Sequence, residues 1–101
     1  MTSRAVVVVV ATATARPGQE AALEEALRHA AGPTRAQPGC VDFELYRRSD
    51  DLATMVAIEQ WASEEDHGRH LLGEHVKTLV ARFEDILSGP PDIVPMTPLA
   101  D

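Results

Sequence analysis

The sequence predicts an α+β fold in the order β-α-β-β-α-β, and three observations carry that expectation. Five valines in a row, Val6–Val10, open the chain. Two alternating segments flank a short Ser-Asp-Asp turn in mid-chain, and two other stretches repeat apolar residues every three or four positions. At 101 residues the chain is one domain, 1–101, with its core in residues 5–87 and a proline-rich tail in 88–101.

The first element is a strand over Ala5–Ala15, because β-branched valine favours extended backbone and an unbroken apolar run suits a strand covered on both faces. Arg16-Pro17-Gly18 turns the chain. A helix follows in QEAALEEALRHAA, with Ala22, Leu23, Ala26, Leu27 and Ala30 as its apolar stripe and Glu20 in the first turn, where the helix dipole favours an acid. Gly32-Pro33 is expected to kink or end it. His29 lies beside the stripe and is read as packing or solvent-facing.

Cys40–Arg48 alternates, with Val41, Phe43, Leu45 and Arg47 on one side and Asp42, Glu44, Tyr46 and Arg48 on the other. Ala53–Trp61 returns as the second arm of a hairpin, placing Met55, Ala57, Glu59 and Trp61 together. Ser63 caps the next helix, with Asp66 three residues on. Beyond Gly68, Leu72, Val76, Leu79, Val80, Phe83, Ile86 and Leu87 recur at helical spacing, and Leu79 and Phe83 are expected in the core. Ser88-Gly89-Pro90-Pro91 stops that helix, and the tail, with Pro91, Pro95 and Pro98, can form only an edge strand.

This order is the ferredoxin-like split β-α-β plan, an antiparallel sheet with helices on one face. The other face is expected to carry Met55, Trp61 and Tyr46 beside Asp42, Glu44 and Glu59. Such a face is too apolar for water, which predicts a homodimer or larger homo-oligomer.

The net charge of −7 and the lack of a basic stripe argue against nucleic acid as a partner. The single cysteine, Cys40, suits a reducing cytoplasm and is read as a small buried residue at a strand start. The N-terminal apolar run is too short to span a membrane, so no membrane partner is expected.

WASEEDHGRHLLGEH, residues 61–75, gathers three of the four histidines. Three histidines can hold zinc when they share one helix face. His67 and His70 stand about 60° apart around a helix, but His70 and His75 about 140°, so no metal site is expected.

RPGQE, AGPTRAQPGC and EQW, followed by a histidine nine residues after the tryptophan and another five further on, resemble the antibiotic biosynthesis monooxygenase (ABM) domain family over roughly residues 5–87. The resemblance implies a dimeric α+β barrel whose two sheets face each other, and for some members cofactor-independent oxygenation of phenols and quinols. It falls on Glu59, Trp61, His70 and His75, with His70, His75 and Trp61 as the implied catalytic set. Glu59, Tyr46, Met55 and His67 are the expected substrate-binding residues. The partners are then a small aromatic molecule and O2, with no cofactor: a histidine takes the phenolic proton, Trp61 forms a flat wall, and Tyr46 or Arg48 steadies the anion. A non-catalytic binding module, or a cyclase or isomerase using the same base, remains the alternative. Two departures matter. Ala57 stands where oxygenating relatives place an asparagine, and the haem-degrading pattern is absent, with His70 in place of a tryptophan and no asparagine in Ala5–Ala15.

Overall fold

The computed structural model describes residues 6–100. Strand β1 (Val7–Thr14) leads to helix α1 (Glu20–Arg35), the hairpin β2 (Cys40–Arg47) and β3 (Thr54–Trp61), two helices α2 (Glu64–Leu71) and α3 (Glu74–Ile86), and strand β4 (Asp92–Met96). The sheet order is β2-β3-β1-β4 and every pairing is antiparallel. This is the ferredoxin-like α+β plan. The expected start of the first strand at Ala5 lies outside the described residues.

Arg16 explains the first turn. Its guanidinium donates to the carbonyls of Leu87, at 2.8 Å, and Glu84, at 2.6 Å. Those oxygens belong to the end of α3, where carbonyls lack helical partners and the dipole favours a cation. The N–H of Ala15 and of Arg16 also bond across to Ala53 and Ile86, so this turn ties β1 to both the hairpin and α3. Leu23, fully buried, then packs with Ala13, Ala15, Met55, Ile86 and Leu87 in the main core.

Helix α1 runs through Gly32-Pro33 instead of ending there. Proline costs most in mid-helix, where it removes a bond and crowds the preceding turn. Here it sits in the last turn, and Ala36 N–H still closes on the Gly32 carbonyl at 3.1 Å. The second helical region divides into two helices at Leu72-Gly73. Ser63 caps α2 as expected, its Oγ accepting from Asp66 N–H at 3.1 Å.

The alternation of β2 and β3 is as the sequence predicts, and β2 turns Asp42, Glu44 and Tyr46 to the open face as expected, but the faces of β3 are reversed. Met55, Ala57, Glu59 and Trp61 face the helices together with Phe43, and all five are buried. The open face carries Val8, Val10, Val56, Ile58, Val94 and Met96, with Tyr46 at its edge. Leu79 and Phe83 are half-buried; Phe83 packs against the main core, as expected, but Leu79 does not join it. Helix α3 packs principally on α1; Ile86 and Leu87 at its end join the main core, while Val76, Leu79 and Val80 overhang a cavity. Strand β4 is an edge strand, which accommodates Pro95 opposite Val9 because an edge has one side without a ladder.

Candidate functional site

The gap beneath α3 is a cavity of about 140 Å³ between the helices and the sheet. Its floor is Ala11, Ala13, Met55, Ala57 and Glu59; Phe43 and Thr34 close one side, and Val76, Leu79 and Phe83 form the roof. His67 and His70 reach it from α2. A larger depression of about 340 Å³ lies between α1 and β2, but it is paved with ion pairs, Glu24 to Arg28 and to Arg47, and holds no histidine. Leu27 and Met55 separate the two. The chemistry therefore belongs to the smaller cavity, where titratable groups meet an apolar space.

Glu59 is a carboxyl group inside the core, 6% exposed. Its Oε1 accepts the indole N–H of Trp61 at 2.9 Å. The two side chains lie two residues apart on one strand, hence on one face. Burial pushes the Glu59 pKa above the ordinary carboxylate value, and the Trp61 hydrogen bond partly opposes this.

His70 is also 6% exposed. Its ring packs against Trp61 with centroids 4.7 Å apart. Nδ1 lies 2.6 Å from Oε1 of Gln37, and Nε2 lies 3.9 Å from Oε1 of Glu59. Burial, then the neighbouring His75 and His67, lower its pKa to about 4. At neutral pH it is an uncharged imidazole, able to accept a proton.

The remaining predicted residues divide. His67 and Met55 line the cavity. Trp61 is fully buried and does not line it: the indole stands behind Glu59 and His70 and braces both, in place of the expected flat wall. His75 likewise stands behind, with Nε2 3.1 Å from Oγ1 of Thr34, whose residue does line the cavity. Tyr46 is exposed on the opposite face of the sheet, and Arg48 is exposed and paired with Asp50, so neither reaches the cavity. The ring centroids of His67 and His70 are 6.1 Å apart and those of His70 and His75 5.6 Å, and among the described residues no group of three or more His, Cys, Asp or Glu is placed to hold a metal ion.

Gln37 escaped the sequence reading, since nothing in the pattern pairs it with a residue 33 positions away. The adjoining Pro-Gly-Cys turn held the signal. Gly39 has φ +86 and lies flush against the Asp66 side chain at the start of α2, where any Cβ would collide. That close approach seats the 37–40 loop on α2 and brings Gln37 to His70.

The buried pair has a pH signature. The folded pKa of His70 is depressed, so its unfolded form binds the extra proton and stability falls as pH drops from 6.5 toward about 4. A shift of that size is worth up to about 3 kcal/mol. Glu59 acts oppositely: its raised pKa stabilises the fold at low pH, and that contribution is lost as pH rises through the folded value. Urea unfolding between pH 4 and 7 should therefore show a steeper acid loss in Glu59→Gln than in the parent chain, and a flatter one in His70→Gln. Equal slopes in all three would show that the pair does not titrate as its burial implies.

Among known proteins, the family model described as antibiotic biosynthesis monooxygenase matches residues 6–82. A candidate monooxygenase of Mycobacterium tuberculosis, Rv0793, is 29% identical over 93 residues, which span 92% of this chain and 91% of that protein. The structure of Rv0793 superposes with a TM-score of 0.89 at 28% identity, covering 95% of this chain and 97% of that one. The crystal structure of PA3566 from Pseudomonas aeruginosa superposes with a TM-score of 0.91 at 31% identity, covering 99% of this chain and 100% of that one.

Proposed function

The chain belongs to the antibiotic biosynthesis monooxygenase family, and from that premise we propose that it oxidises a small phenol or hydroquinone with O2, without a bound cofactor, in the cavity beneath α3. The observation that supports this reading is His70, a neutral, buried imidazole at the wall of an apolar cavity, with the Glu59 carboxyl 3.9 Å from its Nε2.

A cavity of about 140 Å³ limits the reacting part of the substrate to one ring; a cavity near 150 Å³ holds benzene. His70 takes the phenolic proton, and Glu59, when ionised, offsets the charge of the imidazolium that forms. The phenolate is electron-rich and passes one electron to O2; the ring radical and superoxide then join in a C–O bond. Loss of water leaves a new oxygen on the ring. For a hydroquinone the balance is hydroquinone plus O2 to hydroxyquinone plus water, with all four electrons supplied by the substrate.

Oxygen uptake against a panel of one-ring hydroquinones, corrected for autoxidation, tests this. The expected result is catalysed uptake of one O2 per hydroxyquinone without accumulation of peroxide. Binding of the panel without uptake would replace the oxidation by a binding function.

The open face of the sheet is the proposed seat of a second copy. Ile58 is 37% exposed and Met96 46%, and Val10 pairs with both Ile58 and Val94 across this face. Burying such a face is favoured at about 25 cal/mol per Å² of apolar area. Light scattering at micromolar concentration should give at least twice the 10.9 kDa chain mass. Ile58→Asp should shift it toward the monomer. A monomeric parent chain would overturn the assembly.

A further inference from the structure

The two buried titratable groups of the cavity stand side by side. Glu59 and His70, each 6% exposed, sit deep, beside Phe43 and Ala57. The more exposed part of the lining is apolar but for Thr12 and His67, and it ends in Leu71, Val80 and Ile93. These three are 44%, 54% and 49% exposed and come from three different elements, the end of α2, the middle of α3 and the edge strand β4. Scattered surface leucines and valines need no explanation, but three converging on the mouth of one cavity do. Among the described residues lining the cavity there is no lysine or arginine, so nothing in it selects a negatively charged substituent.

Resting on the placement of the ring proposed above, we infer that the ligand is an alkyl-substituted phenol or hydroquinone. Its hydroxylated ring lies against Glu59 and His70, and its hydrocarbon chain leaves across Leu71, Val80 and Ile93. The size of the site requires this division. A ring fills about 140 Å³, so any further carbon must lie at the mouth. There it meets apolar side chains that water solvates poorly, and each methylene removed from water adds affinity.

Calorimetry with methyl-, butyl- and hexylhydroquinone under anaerobic conditions reads this without turnover. A fully buried methylene is worth about fourfold in affinity, and one lying on a half-exposed rim about twofold, so hexylhydroquinone should bind roughly 30-fold more tightly than methylhydroquinone. In Val80→Ser/Ile93→Ser, two exposed positions whose change is checked by an unaltered circular dichroism spectrum, the gain per methylene should disappear. Equal affinity for the methyl and hexyl probes would overturn the inference, as would a chain-length dependence that survives in the double variant. A change of oligomeric state in that variant would assign the rim to a second copy and overturn it too. Chain-length-dependent binding without oxygen uptake would leave this inference standing and remove the oxidation; uptake indifferent to chain length would do the reverse.

Discussion

Replacing His70 by alanine is expected to lower turnover of a responsive hydroquinone by roughly 10²–10⁴-fold, the usual contribution of a positioned general base. The loss should shrink as pH rises toward the phenol's own pKa, where the anion forms without help. The parent chain carries a second signature. With the His70 pKa held at about 4, its base is already free at pH 6, so the pH–rate profile should show no inflection near the ordinary histidine value of 6.5. So depressed a pKa makes His70 a weak base on its own. Glu59, 3.9 Å from Nε2, adds driving force when ionised, as the imidazolium forms. Glu59→Gln should therefore lose turnover in the same direction while keeping an acceptor for the Trp61 N–H. His29→Ala, exposed on α1 and remote from the cavity lining, serves as the silent control. The measurement is steady-state oxygen uptake over pH 6–9. Equal, pH-independent rates in the parent chain and His70→Ala would remove His70 from the mechanism and leave the cavity as a binding site.

The element order was legible because it rests on short-range patterns: valine runs, alternation, helical stripes and a serine cap. The identity of the covered face was not. Alternation in Thr54–Trp61 says that Met55, Ala57, Glu59 and Trp61 stand together, but a period of two is blind to the side on which the helices lie. A glutamate on that side also points the wrong way, since a carboxylate usually marks the solvent face. Here the Trp61 indole N–H supplies the partner that makes burial tolerable. The half-burial of Leu79 and Phe83 was hidden for a related reason. A helical stripe shows that a face is apolar, not how closely it is pressed on its neighbour, and α3 holds its stripe over a cavity. His70 and Glu59 were both named from the sequence. Their approach to 3.9 Å depends on where the loop turned at Gly39 docks: the Pro-Gly-Cys turn marks the loop, but no local pattern names Asp66 of α2 as its seat.

Trp61 carries the other large expected effect, and its direction with pH separates bracing from bulk. The indole is fully buried, so Trp61→Ala should cost about 3–5 kcal/mol, a large share of the stability of a small domain. Loss of function in that variant would say little beyond loss of fold. Trp61→Phe is the informative change, because it keeps most of the apolar volume and removes only the N–H that Glu59 accepts at 2.9 Å. An unpaired buried acceptor costs about 1–3 kcal/mol, more when it is charged. That hydrogen bond lowers the Glu59 pKa against burial, so its removal raises the pKa further and favours the protonated acid. The added cost should then be larger at pH 8, where Glu59 is closer to its ionised form and lacks its donor, than at pH 5, where the group is closer to its neutral form. Urea unfolding of the parent chain and Trp61→Phe at the two pH values reads the difference directly. A destabilisation equal at pH 5 and pH 8 would show that the indole acts only through its volume. A larger loss at pH 8, absent when Glu59→Gln is combined with Trp61→Phe, would assign it to the hydrogen bond that holds the carboxyl group beside His70.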